Sequence, residues 1–386
     1  MKVFKLIFKN ALRHKLRTLL TILGIAVAMV AFGLLRTVVT AWNIGVEASQ
    51  ADRLITRHSV SFIFPLNYAY RDKIDRVPGV DIVSYANWFG GVYIDKTQFF
   101  ARMAIDADTY FSVYSEFLVN ENELADFRKE RNACILGEGI ARQYNLKVGD
   151  LMPLEGDIYP GQWEFVIRGI YRGKNKNTDT SQMLFHWDYL NQRMEQEDPS
   201  RANEVGWYII KIDDPDRAGE ISAAIDDQFA NSSAETKTET ERAFQQGFVA
   251  STSAILTAMN VMSFLIVGII MLVLANTMVM SARERTREFA VFKALGFSGG
   301  HLTGLIMGES LLISALGGGL GLLLIFPIVA GFEQAIPKGI FPVFQVEPVT
   351  IILALSAVLF IGLAAGFVPV QRALTTRIID GFRFVG

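Results

Sequence analysis

Residues 276–296 read N-T-M-V-M-S-A-R-E-R-T-R-E-F-A-V-F-K-A-L-G. They decide the fold because of what they divide. Their upstream end closes an apolar run over 254–281, and a second apolar run over 302–335 follows. Each is longer than the roughly 20 residues a helix needs to cross about 30 Å of hydrocarbon. Working outward, windows 18–42 and 349–370 have the same character. Their length, leucine and isoleucine density and small-residue content argue against core helices of a soluble enzyme. Composition agrees: 51% hydrophobic and 20% charged residues are too apolar for an ordinary soluble chain and too charged for one lying wholly in lipid. The reading is a polytopic membrane protein with four spans and a large domain inserted between the first and second.

The first window has the basic start of a signal peptide. Its apolar run is far longer than the roughly 7–15 residues of such a segment, and no small-x-small cleavage site follows, so an uncleaved span is expected. Arg36 sits near its outer end, where it can snorkel to the interface. Orientation follows from the cations. Lys2, Lys5, Lys9, Arg13, Lys15 and Arg17 precede the first span, Arg283, Arg285, Arg287 and Lys293 lie between the second and third, and Arg372, Arg377 and Arg383 follow the fourth. The connection 331–348 carries Lys338 with Glu333 and Glu347. Both termini are therefore expected in the cytoplasm, with the chain multi-pass in a bacterial inner membrane. Within 1–17, Lys5, Lys9 and Arg13 share one helical face and Phe4, Phe8 and Leu12 another, the pattern of a helix lying along the inner leaflet. The plainer alternative is the positive flank of a span.

Residues 43–250 form a different kind of sequence. Strands are expected at 81–84, 92–94, 99–105, 133–136, 164–170 and 207–212, and helices at 70–76, 137–144, 187–197 and 216–229. An α+β extracytoplasmic domain with its own core follows. Residues 235–251 lack proline and read as helix-compatible, and 36–54 continue the first span outward, so the two make a stalk or, more plainly, a linker. The single cysteine, Cys134, excludes an intrachain disulfide, and the four histidines show no metal-ligand spacing.

The opening stretch is more ordered than a short loop requires. Arg283, Glu284, Arg285, Arg287 and Glu288 precede Phe289, Phe292, Lys293 and Gly296, which fall at successive helical steps, and Gly296 is a natural C-terminal cap. This segment resembles the signature of MacB/FtsX/LolC-type ABC transporter permeases. So do 10–13 with 19–24, the outer-domain turns at 77–80 and 135–150, Gly308-Glu-Ser310 with the run 317–321, and 369–373. The resemblance covers nearly the whole chain. It implies a type VII ABC exporter-like architecture. It also implies a cytoplasmic helix over 282–300 that sits in a cleft of a separate ATPase subunit, before a cytoplasmic tail at 371–386. The alternative for this loop is a solvated segment whose arginines only set topology.

No Gly-x-x-x-x-Gly-Lys-Ser/Thr occurs, so ATP and Mg are expected in the partner ATPase, with no cofactor or metal bound by this chain and no catalysis of its own. The run 317–321 lies inside an apolar span and reads as close helix packing. No basic-aromatic patch points to nucleic acid. Glu309, near the start of the third span, is a functional candidate or else a shallow carboxylate paired with a nearby arginine. The expected partners are the ATPase, a second permease copy or paralogue, membrane lipids and a periplasmic adaptor or carrier. The expected function is mechanotransmission that exports or extracts a hydrophobic or amphipathic substrate. The other reading is an FtsX-type scaffold that activates a cell-wall hydrolase without moving solute.

Overall fold

The structure, a computed structural model, describes residues 2–96, 99–250, 252–336, 341 and 343–375. Thr97, Gln98, Lys338, Arg377 and Arg383, and the side chains of Lys2, Phe4 and Lys5, lie outside the described set. In chain order the elements are α1 (Lys2–Ala11), α2 (Lys15–Ala48), β1 (Arg53–His58), β2 (Leu66–Asn67), α3 (Tyr70–Ile74), β3 (Val80–Trp88), β4 (Ala101–Ile105), α4 (Tyr110–Val113), β5 (Phe117–Leu118), α5 (Glu121–Lys129), β6 (Ala133–Gly137) and α6 (Glu138–Tyr144). There follow β7 (Leu151–Gly156), β8 (Gly161–Gly173), β9 (Gln182–His186), α7 (Trp187–Glu197), β10 (Glu204–Val205), β11 (Trp207–Ile212), α8 (Ala218–Phe229), β12 (Thr236–Thr240), α9 (Glu241–Ala250), α10 (Ser253–Glu284), α11 (Thr286–Ala294), α12 (Gly299–Ala335) and α13 (Pro348–Thr375). They divide into two compact units: Met1–Thr40, Ser253–Phe332 and Phe344–Gly386 in one, Ala41–Thr252 and Glu333–Val343 in the other.

The helical unit holds four helices long and apolar enough to cross a membrane, α2, α10, α12 and α13. Small residues let them approach closely, as expected where lipid offers no hydrophobic drive to pack. A Cβ placed on Gly317 would lie 2.6 Å from Cβ of Ile25, and one on Gly321 would lie 2.7 Å from the carbonyl oxygen of Ala26, so both glycines are needed for α2 to seat on α12. On the other side, Ser310 Oγ donates to the Gly362 carbonyl of α13 at 2.7 Å. Arg36 does more than snorkel: its Nη1 donates to Asn260 Oδ1 of α10 at 2.7 Å.

The inserted unit is built on a ten-stranded mixed sheet, ordered β12-β1-β11-β3-β4-β9-β6-β8-β5, with β7 pairing β8. Pairs β4–β9 and β6–β8 are parallel, and the remaining pairs in this sheet are antiparallel. Strand alternation sorts the side chains onto two faces. Leu54, Cys134, Leu136, Met183, Phe185 and Ile210 enter the larger core with α3, α7 and α8, whereas Ile55, Ile135, Leu184 and Ile209 enter a second core with α4 and α5. The helix expected to begin at 235 starts later. Thr236–Thr240 is strand β12, paired antiparallel to β1, and only Glu241–Ala250 is helical. Alternating threonines decide this, because Thr236 and Thr238 turn inward where Asp226 accepts from both hydroxyls. Of the expected strand at 92–94, only an isolated bridge from Val92 to Glu155 forms, and Ile94 takes φ +62°.

Where the chain passes into and out of the sheet, one arginine binds both passages. Arg53, at the start of β1, is 2% exposed. Its guanidinium donates to both carboxylate oxygens of Glu116 at 3.0 and 2.7 Å, and to Glu241 Oε2 at 2.9 Å. It also lies over the Tyr114 ring, 4.2 Å from the centroid. Glu241 opens α9, where a carboxylate suits the helix N-terminus, and it accepts from the Gln50 backbone N–H at 3.1 Å.

Candidate functional site

The site begins with the break between α10 and α11. Glu284 ends one helix and Thr286 starts the next, so the chain turns at Arg285. The turn leaves Arg285 inside the helical unit, its side chain 8% exposed. Nη1 donates to Glu309 Oε2 of α12 at 2.9 Å, Nε donates to Glu288 Oε2 at 2.9 Å, and the guanidinium sits over Phe289, 5.4 Å from the ring centroid. Glu309 is 6% exposed and also accepts from Ser281 Oγ at 3.4 Å. A buried carboxylate and a buried guanidinium so placed must stay paired, because either alone is strongly destabilising.

The network extends to the turn between α1 and α2. Glu288 pairs with Arg13, and Glu284 accepts from both terminal nitrogens of Arg17 at 3.0 and 2.8 Å and faces His14 Nε2 at 3.2 Å. Partial burial disfavours the Glu288 charge, but the Arg13 and Arg285 guanidiniums win, and its carboxyl is held below the ordinary range. The exposed Arg17–Glu284 pair is worth at most about 1 kcal/mol and serves mainly to fix register. A continuous line, Arg13–Glu288–Arg285–Glu309, thus ties α1–α2, α11 and α12 together.

The far end of α11 is closed by a Schellman turn. Gly296 has φ +85°, its N–H bonds to the Lys293 carbonyl at 3.0 Å, and the Phe297 N–H bonds to the Phe292 carbonyl at 3.0 Å. The rings of Phe292 and Phe297 meet at 5.4 Å, the apolar contact that accompanies this motif. Lys293 Nζ donates to the Leu374 carbonyl near the end of α13 at 2.9 Å, a favourable place for a cation.

Of the residues singled out from the sequence, Glu284, Arg285, Glu288 and Glu309 are thus brought together with Phe289. Phe292, Lys293 and Gly296 form the capped end, and Arg283 and Arg287 are exposed. Phe289 is buried and Phe292 is half-buried against Phe297, because the chain turn at Arg285 rotates these rings into the unit's own core. The outward apolar face is instead Val291, Leu295 and Phe297, which are 41%, 70% and 45% exposed. Spacing alone does not choose between the two faces, since both carry aliphatic or aromatic residues. From the sequence, Arg17 was legible as a topology-setting charge, and Arg13 as that and as part of the cationic face of an inner-leaflet helix. That they are partners of the acids in this segment depends on the fold.

The description "FtsX-like permease C-terminal" matches residues 260–378, and "MacB-like periplasmic core domain" matches residues 18–228. An uncharacterized ABC transporter permease of Methanocaldococcus jannaschii is 23% identical over 82% of this chain and 81% of its own length. The macrolide export ATP-binding/permease protein MacB of Nitrobacter winogradskyi is 33% identical over 34% of this chain and 19% of its own. Among solved structures, the extracellular domain of the noncanonic ABC-type transporter YknZ from Gram-positive bacteria aligns over 49% of this chain and 100% of that one, at 12% identity and a TM-score of 0.36. The two family matches together take in the first span with most of the inserted sheet domain, and the other three spans with the Arg285 turn, and so the chain belongs to the FtsX-like and MacB-like family of ABC transporter permeases.

Proposed function

We propose that this permease couples ATP hydrolysis in a separate ATPase subunit to movement of its inserted domain, and that α11 is the element that docks the ATPase. One observation carries the reading. At the basic end of the helical unit, a short helix is anchored by a buried ion pair, and the helix with its capping turn presents three apolar side chains outward, Leu295 most of all. Apolar residues in a rigid, capped setting at a water-facing end are what a protein partner recognises, whereas a loop that only sets topology needs no such face. Family membership supports an ATP-driven partner, and the name of the Nitrobacter relative supports a fused ATPase in that protein.

The lysine and arginine distribution supports an inner-membrane orientation with both termini, α11 and the tail in the cytoplasm and the sheet domain outside. Substrates would be hydrophobic or amphipathic, engaged by the outer domain together with a periplasmic adaptor or carrier, in a dimer with a second copy or a paralogue. The test is purification of the full chain in mild detergent and identification of what accompanies it. An ATPase whose turnover changes with amphipathic cargo is expected. Recovery of a cell-wall hydrolase, with ATPase turnover indifferent to any cargo, would replace transport by signalling.

A further inference from the structure

Around β4 of the inserted domain, Phe100 and Ala104 enter the larger core while Met103 and Ile105 enter the second, so the strand's period of two sends Arg102 into the larger core with the first pair. Arg102 is 1% exposed. Its guanidinium lies over the Phe100 ring, 3.8 Å from the centroid, and Nη1 donates to the Phe100 carbonyl at 3.1 Å. Nε and Nη2 are buried and have no hydrogen-bond partner. Burial pushes the group down to about 10, so it stays charged at neutral pH.

Nε and Nη2 make up one edge of the planar fork, and other arginines of this domain show what that edge takes. Arg168 turns it onto Glu130, at 2.8 and 2.9 Å to the two carboxylate oxygens. Arg53 turns it onto Glu241 Oε2, at 2.9 and 2.8 Å. Arg102 holds the same edge in a setting as dry as that of Arg53, with no carboxylate of the described residues on it. A guanidinium left alone in an apolar core is strongly destabilising, so the edge calls for a negative charge.

The surroundings limit what can bring that charge. One guanidinium balances one negative charge, which a carboxylate supplies and a phosphate dianion exceeds. The rings of Tyr93, Phe100 and Tyr144 meet pairwise at 5.2, 5.9 and 6.4 Å on this side of the sheet, so the carboxylate has to be carried on an apolar body. Tyr93 belongs to residues 89–96, a segment held to β7 by an isolated bridge in which Val92 and Glu155 exchange backbone bonds of 2.8 and 3.0 Å. Ile94 follows the bridge at φ +62°, a conformation that a β-branched residue adopts only under strain, and it is 79% exposed. The cover on the aromatic rings is thus lightly pinned and strained.

We propose that residues 89–96 lift to admit an amphipathic carboxylate, whose two oxygens take the Nε–H and Nη2–H of Arg102 while its apolar body lies against Tyr93, Phe100 and Tyr144. Guanidinium and carboxylate match bidentately, and exclusion of water strengthens the pair. The ligand class rests on the reading of an amphipathic substrate engaged by this domain. Binding is measured without an ATPase, so failure of the coupling reading leaves this result standing.

The full chain in mild detergent is titrated calorimetrically with N-acetylphenylalanine, and with N-acetylphenylalaninamide and phenyl phosphate as controls. Wild type should bind the acid at least about tenfold more tightly than the amide, as a charge-assisted bidentate pair requires. Arg102→Met should lose that preference, and Arg102→Lys, which keeps the charge without the fork, should fall between. Ligand-free Arg102→Met should melt no lower than wild type, because it removes an unpaired buried charge. A clearly lower melting temperature would show the guanidinium satisfied within the fold and overturn the proposal. Equal affinity of wild type for acid and amide, or tighter binding of phenyl phosphate, would also overturn it. So would chloride that raises the melting temperature through Arg102 while the acid does not, since the edge would then hold an inorganic ion.

Discussion

At the residue scale, Arg53 and Gly296 each hold a position that few other residues serve as well. Arg53 is enclosed by Glu116, Glu241 and Tyr114 where β1 begins and α9 starts. Truncating it leaves two carboxylates in a nearly dry site, so Arg53→Met should destabilise the inserted domain by about 3–5 kcal/mol. Urea unfolding of residues 43–246 expressed alone measures this, and a change within 1 kcal/mol would mean that the cluster is effectively solvated. Gly296 sits at φ +85°, which a β-branched side chain tolerates poorly. In Gly296→Val, amide exchange over residues 286–297 should accelerate roughly tenfold as the Schellman turn opens, whereas Gly296→Asn should change it little. The glycine was legible as a cap because a charged helical pattern stops at it. The Arg53 cluster was not, because its two glutamates lie 63 and 188 residues away and only the sheet joins them.

At the element scale, the spans could be read from the sequence because nothing but lipid tolerates such long apolar runs. Elements of the sheet were readable where β-branched and aromatic residues cluster, as in Trp207–Ile212. Thr236–Thr240 escaped because threonine, lysine and glutamate are compatible with helix in isolation, and only pairing with β1 makes them a strand. For α11 the sequence showed a helix and its cap but not which face is free. The anchor of that helix makes its own prediction. Glu309→Gln removes the buried one of the two carboxylates that pair with Arg285 and leaves only the more exposed Glu288, so the melting temperature of the detergent-solubilised chain should fall by several degrees. Replacing both partners, Arg285→Met with Glu309→Met, should recover much of the loss, because no buried charge is then left alone. Failure of the double variant to recover would show that the pair is needed for packing rather than for mutual neutralisation.

At the scale of the whole molecule, a sheet domain with two cores of its own stands as one unit, and a helical unit held by small residues, an apolar core and the Arg285 ion network as another. The domain should therefore fold without the spans: residues 43–246 are expected to be soluble, monomeric and cooperative in unfolding. Reporter fusions after Gly173 should be active outside the cytoplasm and fusions after Gly386 inside, as the cation asymmetry requires. Docking of the ATPase on α11 through Val291, Leu295 and Phe297 can be probed by one substitution. Leu295→Asp places a charge on the most exposed apolar residue of that face without touching the Arg285–Glu309 anchor. The measurement is ATPase pull-down and stimulated turnover in nanodiscs, for wild type and Leu295→Asp at equal insertion. Binding at least about tenfold weaker, with loss of stimulation, is expected. Wild-type binding and wild-type stimulation by Leu295→Asp would contradict it.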